Sequence, residues 1–458
     1  KLKIKLDEST APALVLLEVE EGPPTLVRSV EVNYLGEIIP DEVRMKRLEE
    51  RQEQTWPLPK GSVFRQSAWD SGKRNAVNTL LNRRYPAAKL VHAEANVDPE
   101  AHTVDLTVDV DSGPAYFYGP LSITGLSRYP EKLIRNNVQF REGAEYRRND
   151  LLELQADLQN LPHFSLVLVD VDLPPDPPFI APVKVTVQEA PLSKISTGLG
   201  FSTNTGARGS FDYRYLNLMD RAWVLDTGLR LQQKEQSVSA GITFPRFASG
   251  YEHRVYASYV NENIQGLDTS TWKTGVSRSS TEKNIDRLIA IEYQMERREL
   301  NDGTVFDPQS LTAKYQWVRR DVDRIRNPRS GNVITLEGGG ALKGLLSDES
   351  FVRLYGRGVQ FWPVGGKSVV VARVELGDTF TKDSLSVPTD WLFRTGGSSS
   401  VRGYDYQSLG LSVGGSTIPG RVMAVSSLEF QTPVYKDWLG AVLVDHGGDG
   451  DQRKDWRG

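Results

Sequence analysis

The apolar residues of this chain follow two different periodicities, and the change falls at Pro191. Before it, runs that alternate at period two are interleaved with segments whose apolar residues recur at helical spacing. Val104, Leu106, Val108 and Val110 mark a strand with one buried face, whereas Ala68, Ala76, Leu80 and Leu81 mark the inner side of a helix. From Leu26 the predicted order is strand 26–34, helix 40–51, helix 67–84, strand 89–97 and strand 104–110. The order then recurs as strand 116–124, helix 130–137, helix 149–160, strand 165–172 and strand 183–188. Glu21-Gly22-Pro23 precedes the first βααββ unit and Ser112-Gly113-Pro114 the second, so a repeat of about 80 residues with matching junctions predicts two copies of one module. Ahead of both, 1–6 and 13–19 read as two strands with a turn between them. Two strands are not stable alone, so residues 1–24 are expected to be the C-terminal remnant of a further module.

Beyond Pro191 the helix patterns stop. The rest of the chain reads as a series of about thirteen alternating strands, each about 9–12 residues long, the length a tilted membrane-spanning strand needs. Connections are expected to be short near 217–220, 245–250, 281–285 and 363–367, and longer and polar near 264–269, 300–309 and 341–350. Short turns on one rim and long loops on the other are the signature of an antiparallel transmembrane β-barrel. A soluble sandwich also has many short strands, but no continuous apolar set here is thick enough for a two-sheet core.

Composition removes several function classes. The formal charge of −4 leaves no basic footprint for nucleic acid, and doublets such as Arg83-Arg84, Arg147-Arg148 and Arg319-Arg320 read as solvated faces. The chain has no cysteine, which excludes disulfides, thiolate metal sites and cysteine nucleophiles. No window reaches the roughly 18 uninterrupted apolar residues of a membrane helix, although membrane strands give no such peak. Gly366-Lys367-Ser368 resembles a phosphate loop, but Phe361 stands where its first glycine is required, so it reads as a strand turn. The acids between Asp445 and Asp451 lack the closing glutamate of a calcium loop and read as a solvated loop. His92, His102, His163, His253 and His446 show no zinc-helix spacing. No catalytic residue, cofactor or metal site is read from the sequence.

One stretch stands apart, Phe393 to Gly420, FRTGGSSSVRGYDYQSLGLSVGGSTIPG. Its Gly and Ser content makes it a loop, and a connection of roughly 40 residues from Gly377 far exceeds the usual limit for structureless loops. Tyr404 and Tyr406 beside Arg402 argue against disorder, so the loop is expected to fold back and dock.

The tandem modules, the entry Ser196-Thr197-Gly198-Leu199-Gly200-Phe201 and the stretch from Arg319-Arg320-Asp321 through Pro328 to Gly331 carry a resemblance. With Gly396-Gly397-Ser398, Val401-Arg402-Gly403-Tyr404 and Ser408-Leu409-Gly410, they resemble the BamA/TamA outer-membrane insertase superfamily. Gly125-Leu126-Ser127-Arg128-Tyr129-Pro130, Gln155 and the entry 116–119 look most like its TamA branch, the translocation and assembly module for autotransporters. The resemblance implies a remnant of a POTRA domain at 1–24, POTRA domains at 25–113 and 114–190, and an outer-membrane barrel at 191–458. That barrel would have about sixteen strands when complete, the C-terminal ones being missing here.

The resemblance also implies a Gram-negative outer-membrane location with periplasmic POTRA domains. The protein would be no enzyme and would use no cofactor. Its partners would be unfolded outer-membrane or autotransporter clients, outer-membrane lipid and an inner-membrane-anchored TamB-like protein. Clients would enter through a lateral barrel seam near 194–204. Val401, Arg402, Gly403 and Tyr404 would lock the loop inside the barrel, with Glu429 and Asp445 as the lumen partners of Arg402. Alternation agrees, because Leu428 and Phe430 on one face leave Glu429 on the other, and Val444 leaves Asp445 opposite to it. A BamA-like general insertase, a two-partner secretion exporter and a passive porin are the competing readings.

Overall fold

The computed structural model describes residues 2–7, 14–19, 22–246, 250–436 and 438–451. The chain divides into two compact units, one of residues 1–126 with 138–189 and one of 127–137 with 190–458.

In the first unit, β1 (Leu2–Asp7) and β2 (Leu14–Val19) form an antiparallel pair. Next come β3 (Leu26–Leu35), α1 (Glu42–Thr55), α2 (Gln66–Leu81), β4 (Lys89–Asp98) and β5 (Thr103–Asp111). The sheet order is β3-β5-β4, with β5 parallel to β3 and antiparallel to β4. Being central, β5 buries Val104, Leu106, Val108 and Val110 against Trp56, Trp69, Ala76 and Leu80. Asp41 caps α1 by accepting from the Arg44 N–H at 3.2 Å, so the helix begins later than the apolar pattern implies and runs on to Thr55.

The second copy contains β6 (Phe117–Thr124), α3 (Lys132–Arg135), α4 (Arg148–Gln159), β7 (Phe164–Val171) and β8 (Ile180–Glu189), with sheet order β6-β8-β7. The expected helix 130–137 shrinks to the single turn of α3, which is capped at Asn136, and the Asn137 side-chain amide then donates to the Leu133 carbonyl at 2.8 Å. That turn belongs to the other unit. The two modules are clasped by backbone bonds from Arg84 N to Tyr146 O and from Tyr116 N to Arg84 O, both 2.8 Å. The Arg84 guanidinium lies 3.4 Å from both Asp41 and Glu145. This doublet residue is therefore a clasp between modules rather than a solvated charge.

The second unit is a strand wall. It begins with β9 (Ser193–Ser202), β10 (Gly206–Leu218), β11 (Trp223–Gln232) and β12 (Glu235–Phe244). β13 (Glu252–Ile264), β14 (Leu267–Glu282), β15 (Ile285–Glu299) and the two-residue β16 (Val305–Phe306) come next. β17 (Gln309–Val322), β18 (Gly331–Ala341), β19 (Phe351–Val364) and β20 (Ser368–Thr381) lead to the long loop. Within the loop, β21 (Leu411–Val413) and β22 (Ser416–Ile418) make a small hairpin, and β23 (Val422–Tyr435) and β24 (Trp438–Gly450) come after it. Among the described residues, thirteen strands pair antiparallel in one series from β9 to β24, with β16 beside β15. At 16 residues, β14 is longer than the alternation alone suggests.

The wall's faces are opposite in character. Leu336, Leu354, Val374, Leu376, Leu428 and Phe430 stand exposed on one face. On the other, Arg353 meets Glu337 at 3.4 Å and Tyr355 donates to Glu375 at 2.8 Å. An apolar exterior around a polar interior is the arrangement a strand wall needs in lipid. Among the described residues, no helix is long and apolar enough to cross a membrane.

Two connection expectations are corrected. The long loop expected at 264–269 is the two-residue turn Gln265-Gly266, both at positive φ (55° and 74°), which suits the twist of a tight hairpin. The long connection before Gly420 begins only after Thr381, because β20 continues past Gly377 by pairing with β23 as far as Asp378 and with β19 as far as Thr381.

Candidate functional site

The loop 382–421 lies against the polar face of the wall. It is closed on itself by reciprocal bonds between Phe393 and Gly420 (2.8 and 2.7 Å) and between Thr395 and Leu409 (3.3 and 3.0 Å). At its tip Gly403 adopts φ 98°, a left-handed conformation that would strain a side chain there and that turns the chain immediately after Arg402.

Arg402 ties the loop to both of the last two strands described. Its Nε and Nη2 donate to the two Asp445 oxygens at 2.7 and 2.8 Å, a bidentate fork, and its backbone N–H donates to the same carboxylate at 2.9 Å. Nη2 also donates to Ser427 Oγ at 2.8 Å, and Nη1 contacts the Glu429 carboxylate. The register explains the convergence. Ser427 and Asp445 are cross-strand partners on β23 and β24, and Glu429 lies two residues further along the same face. Asp445 is almost wholly enclosed, at 1 % side-chain exposure. Val401 packs against Phe393, Met423 and Val425, whereas Tyr404 stays 51 % exposed and contributes only its carbonyl, which accepts from Gly397 N at 3.1 Å. Val401, Arg402, Glu429 and Asp445 are thus brought together, with Gly403 shaping the turn, and the Tyr404 ring is outside the cluster.

The region 445–450 is not a solvated loop but part of β24. Asp449 accepts from the Thr395 N–H and hydroxyl at 2.8 and 2.7 Å, so this acid too holds the loop. No group of acids and histidines able to hold a metal occurs among the described residues.

A second anchor lies far along the ladder, on β14 and β15. Glu296 and Arg298 are paired at 2.8 Å with side chains only 1 % exposed. Arg298 also donates to the Val387 carbonyl at 2.9 Å, and Glu296 accepts from the Thr389 N–H at 2.9 Å and from its hydroxyl. Asp390 contacts Lys273, and Gln294 donates to it at 3.3 Å. Trp391 then packs on Phe351 with ring centres 5.3 Å apart. Two wall glycines leave room for these rings: a Cβ at Gly339 would stand 2.9 Å from Trp391, and one at Gly377 would collide with Phe393.

A third set of contacts runs to the wall's turns. Arg394 donates to the Thr417 carbonyl at 3.1 Å and lies 3.5 Å from Glu262, while the Asn301 N–H donates to Ser416 at 2.8 Å. None of these anchors is singled out by the sequence. Their only linear trace is the polar run Gln294, Glu296, Arg298 at period two, which marks an inward face without saying what meets it.

Comparison with known proteins places this geometry. Residues 192–457 match the model of the Omp85 superfamily domain. The outer membrane protein assembly factor BamA of Nitratidesulfovibrio vulgaris is 21 % identical over 465 residues, covering 96 % of this chain, and the chain spans 56 % of that relative. BamA from Haemophilus ducreyi, solved without POTRA domains 1–3, superimposes with TM-score 0.69 at 17 % identity, covering 91 % of this chain and 86 % of that one. CdiB from Escherichia coli gives TM-score 0.51 at 14 % identity over 95 % and 82 % of the two chains. The fold is that of an outer-membrane strand barrel preceded by POTRA-like α/β units.

Proposed function

The chain belongs to the Omp85 superfamily, and on that premise we propose that it is an outer-membrane assembly factor that helps β-barrel clients such as autotransporters insert or cross at a lateral seam. The observation that supports this best is the loop 382–421, tied by Arg402 and Asp449 to β23 and β24 and by Glu296 and Arg298 to β15. A loop fastened to distant strands keeps the wall curved while a seam between strands exchanges partners. In lipid an unsatisfied backbone group costs several kcal/mol, so a client hairpin that takes over strand bonds at β9 avoids that cost as it enters. No nucleotide is needed. We assign 25–113 and 114–190 to POTRA domains whose strand edges receive extended clients, and 191–458 to the barrel. A TamB-like protein anchored in the inner membrane would deliver clients to them.

The similarity to the BamA assembly factor favours a second reading, a general insertase for all outer-membrane barrels. Depletion of the full-length protein separates the two, with surface display of an autotransporter and the folded amount of a porin measured together. Loss of display with the porin spared is the expected result, and equal loss of both supports the general insertase. If neither changes, both readings fail.

A further inference from the structure

On the reading that POTRA edges receive clients, we infer that strand addition is confined to the edge of β4, because Gln155 and Gln159 shut the equivalent edge on β7. The two modules share one sheet order, so β4 and β7 occupy the same outer position. On β7 three successive outward N–H groups are already occupied. Val167 donates to Gln159 Oε1 at 3.0 Å, Val169 to Gln155 Oε1 at 3.2 Å, and Val171 to Asp170 Oδ1 at 2.9 Å. The Gln159 amide also reaches the Ser165 carbonyl at 3.5 Å. The match is geometric: helix residues four apart rise about 6 Å and strand residues two apart about 6.7 Å, so one helix face can serve successive outward donors.

The first module lacks this device. Aligning the buried Leu151, Leu154 and Leu158 of α4 with Trp69, Gly72 and Ala76 of α2 puts Lys73 and Val77 where the glutamines stand. Valine offers no acceptor, and Lys73 is turned to Asp70 at 2.9 Å and over the Trp69 ring at 5.3 Å. Between α2 and β4 there remains an open cleft of about 430 Å³, bordered by Asp70, Lys73, Val77 and Leu90. Among the described residues, the β4 backbone bonds only to β5. Leu90, Val91 and Val97 are exposed along it. A row of free donors and acceptors beside exposed aliphatic side chains fits an extended segment of an unfolded polypeptide, which supplies both the backbone ladder and apolar side chains.

The test uses the full-length protein in cells, with a photo-crosslinking amino acid at Val91 or at Leu168 and an autotransporter stalled during assembly as the probe. The expected result is client adducts from Val91 and at least fivefold fewer from Leu168. Gln155→Ala with Gln159→Ala should raise the Leu168 adducts at least fivefold and leave those from Val91 unchanged. Gln155→Glu with Gln159→Glu keeps both acceptors and should leave the Leu168 edge closed, which separates capping from misfolding of α4. Equal adducts at both positions in the unsubstituted protein, no gain in the alanine pair, a gain in the glutamate pair, or adducts between two copies of this chain instead of the client would each overturn the inference. Absence of adducts at both positions while depletion still abolishes display would overturn the edge assignment but leave the assembly function standing.

Discussion

The cores of the α/β modules exclude charge, whereas the interior of the strand wall is built from it. In the first module the buried set is Val27, Leu106, Trp69, Leu80 and their neighbours, and the Arg28–Asp105 pair sits at the surface with Arg28 55 % exposed. In the wall the exposed apolar residues face outward, and the inward face, beside the Phe351, Met423 and Val425 that meet the loop, holds the Glu296–Arg298 pair at 1 % exposure together with the Arg402 fork. Water solvates the charges of the first arrangement, so they add little. The second has to satisfy its charges with one another and with the loop, and each partner removed leaves another stranded.

That contrast is broken most directly at β15. Arg298→Ala leaves Glu296 buried without its cation, and removing one member of such a pair costs about 3–5 kcal/mol. Urea unfolding of the full-length protein in detergent should show a loss of that size, with new protease cleavage near Val387. Replacing both partners by apolar residues, Glu296→Leu with Arg298→Met, should recover part of it, since an apolar pair of similar volume is often neutral. A single substitution costing under about 1 kcal/mol would place the pair with ordinary surface bridges instead.

The Arg402 anchor should show a smaller effect, because its guanidinium is 25 % exposed and Asp445 keeps the Ser427 strand beside it. Arg402→Ala should cost about 2 kcal/mol, and Arg402→Lys should restore only part, because an ammonium cannot reproduce the two-pronged fork. A cycle combining Arg402→Ala with Asp445→Asn should give a coupling of about 0.5–3 kcal/mol, and strict additivity would show that the observed contact carries no energy.

The surface pair sharpens the comparison from the other side. Arg28 and then Ser29 donate to the Asp105 carboxylate and lower it from 3.8 to about 2. A carboxylate depressed on folding contributes stability above its unfolded value, and that contribution is lost as pH falls toward the folded value. The helical circular dichroism signal reports the modules alone, because the wall is strand. Its urea midpoint should therefore fall between about pH 4 and pH 2, and Asp105→Asn should flatten only that acid limb. An unchanged acid limb in this variant would mean the pair is idle.

Much of this molecule is legible in its sequence, because the features concerned are local. Alternation over a few residues is enough to show which side of a strand is apolar, so Glu429 and Asp445 can be assigned to the face away from Leu428 and Val444 without any fold. The βααββ repeat and the glycine-rich loop are read the same way. Boundaries are less accessible: Asp41 starts α1, Asn136 caps the end of α3, and the Gln265-Gly266 turn depends on two positive φ angles that composition only hints at. The glutamine caps on β7 and the Glu296–Arg298 seat for Thr389 leave no trace of their partners in the linear pattern. Periodicity assigns a residue to a face, but the partner that meets it there lies far away in sequence, 93 positions for Glu296 and Thr389 and 132 for Glu262 and Arg394. Only the fold of the loop back onto the ladder brings those positions within hydrogen-bond distance.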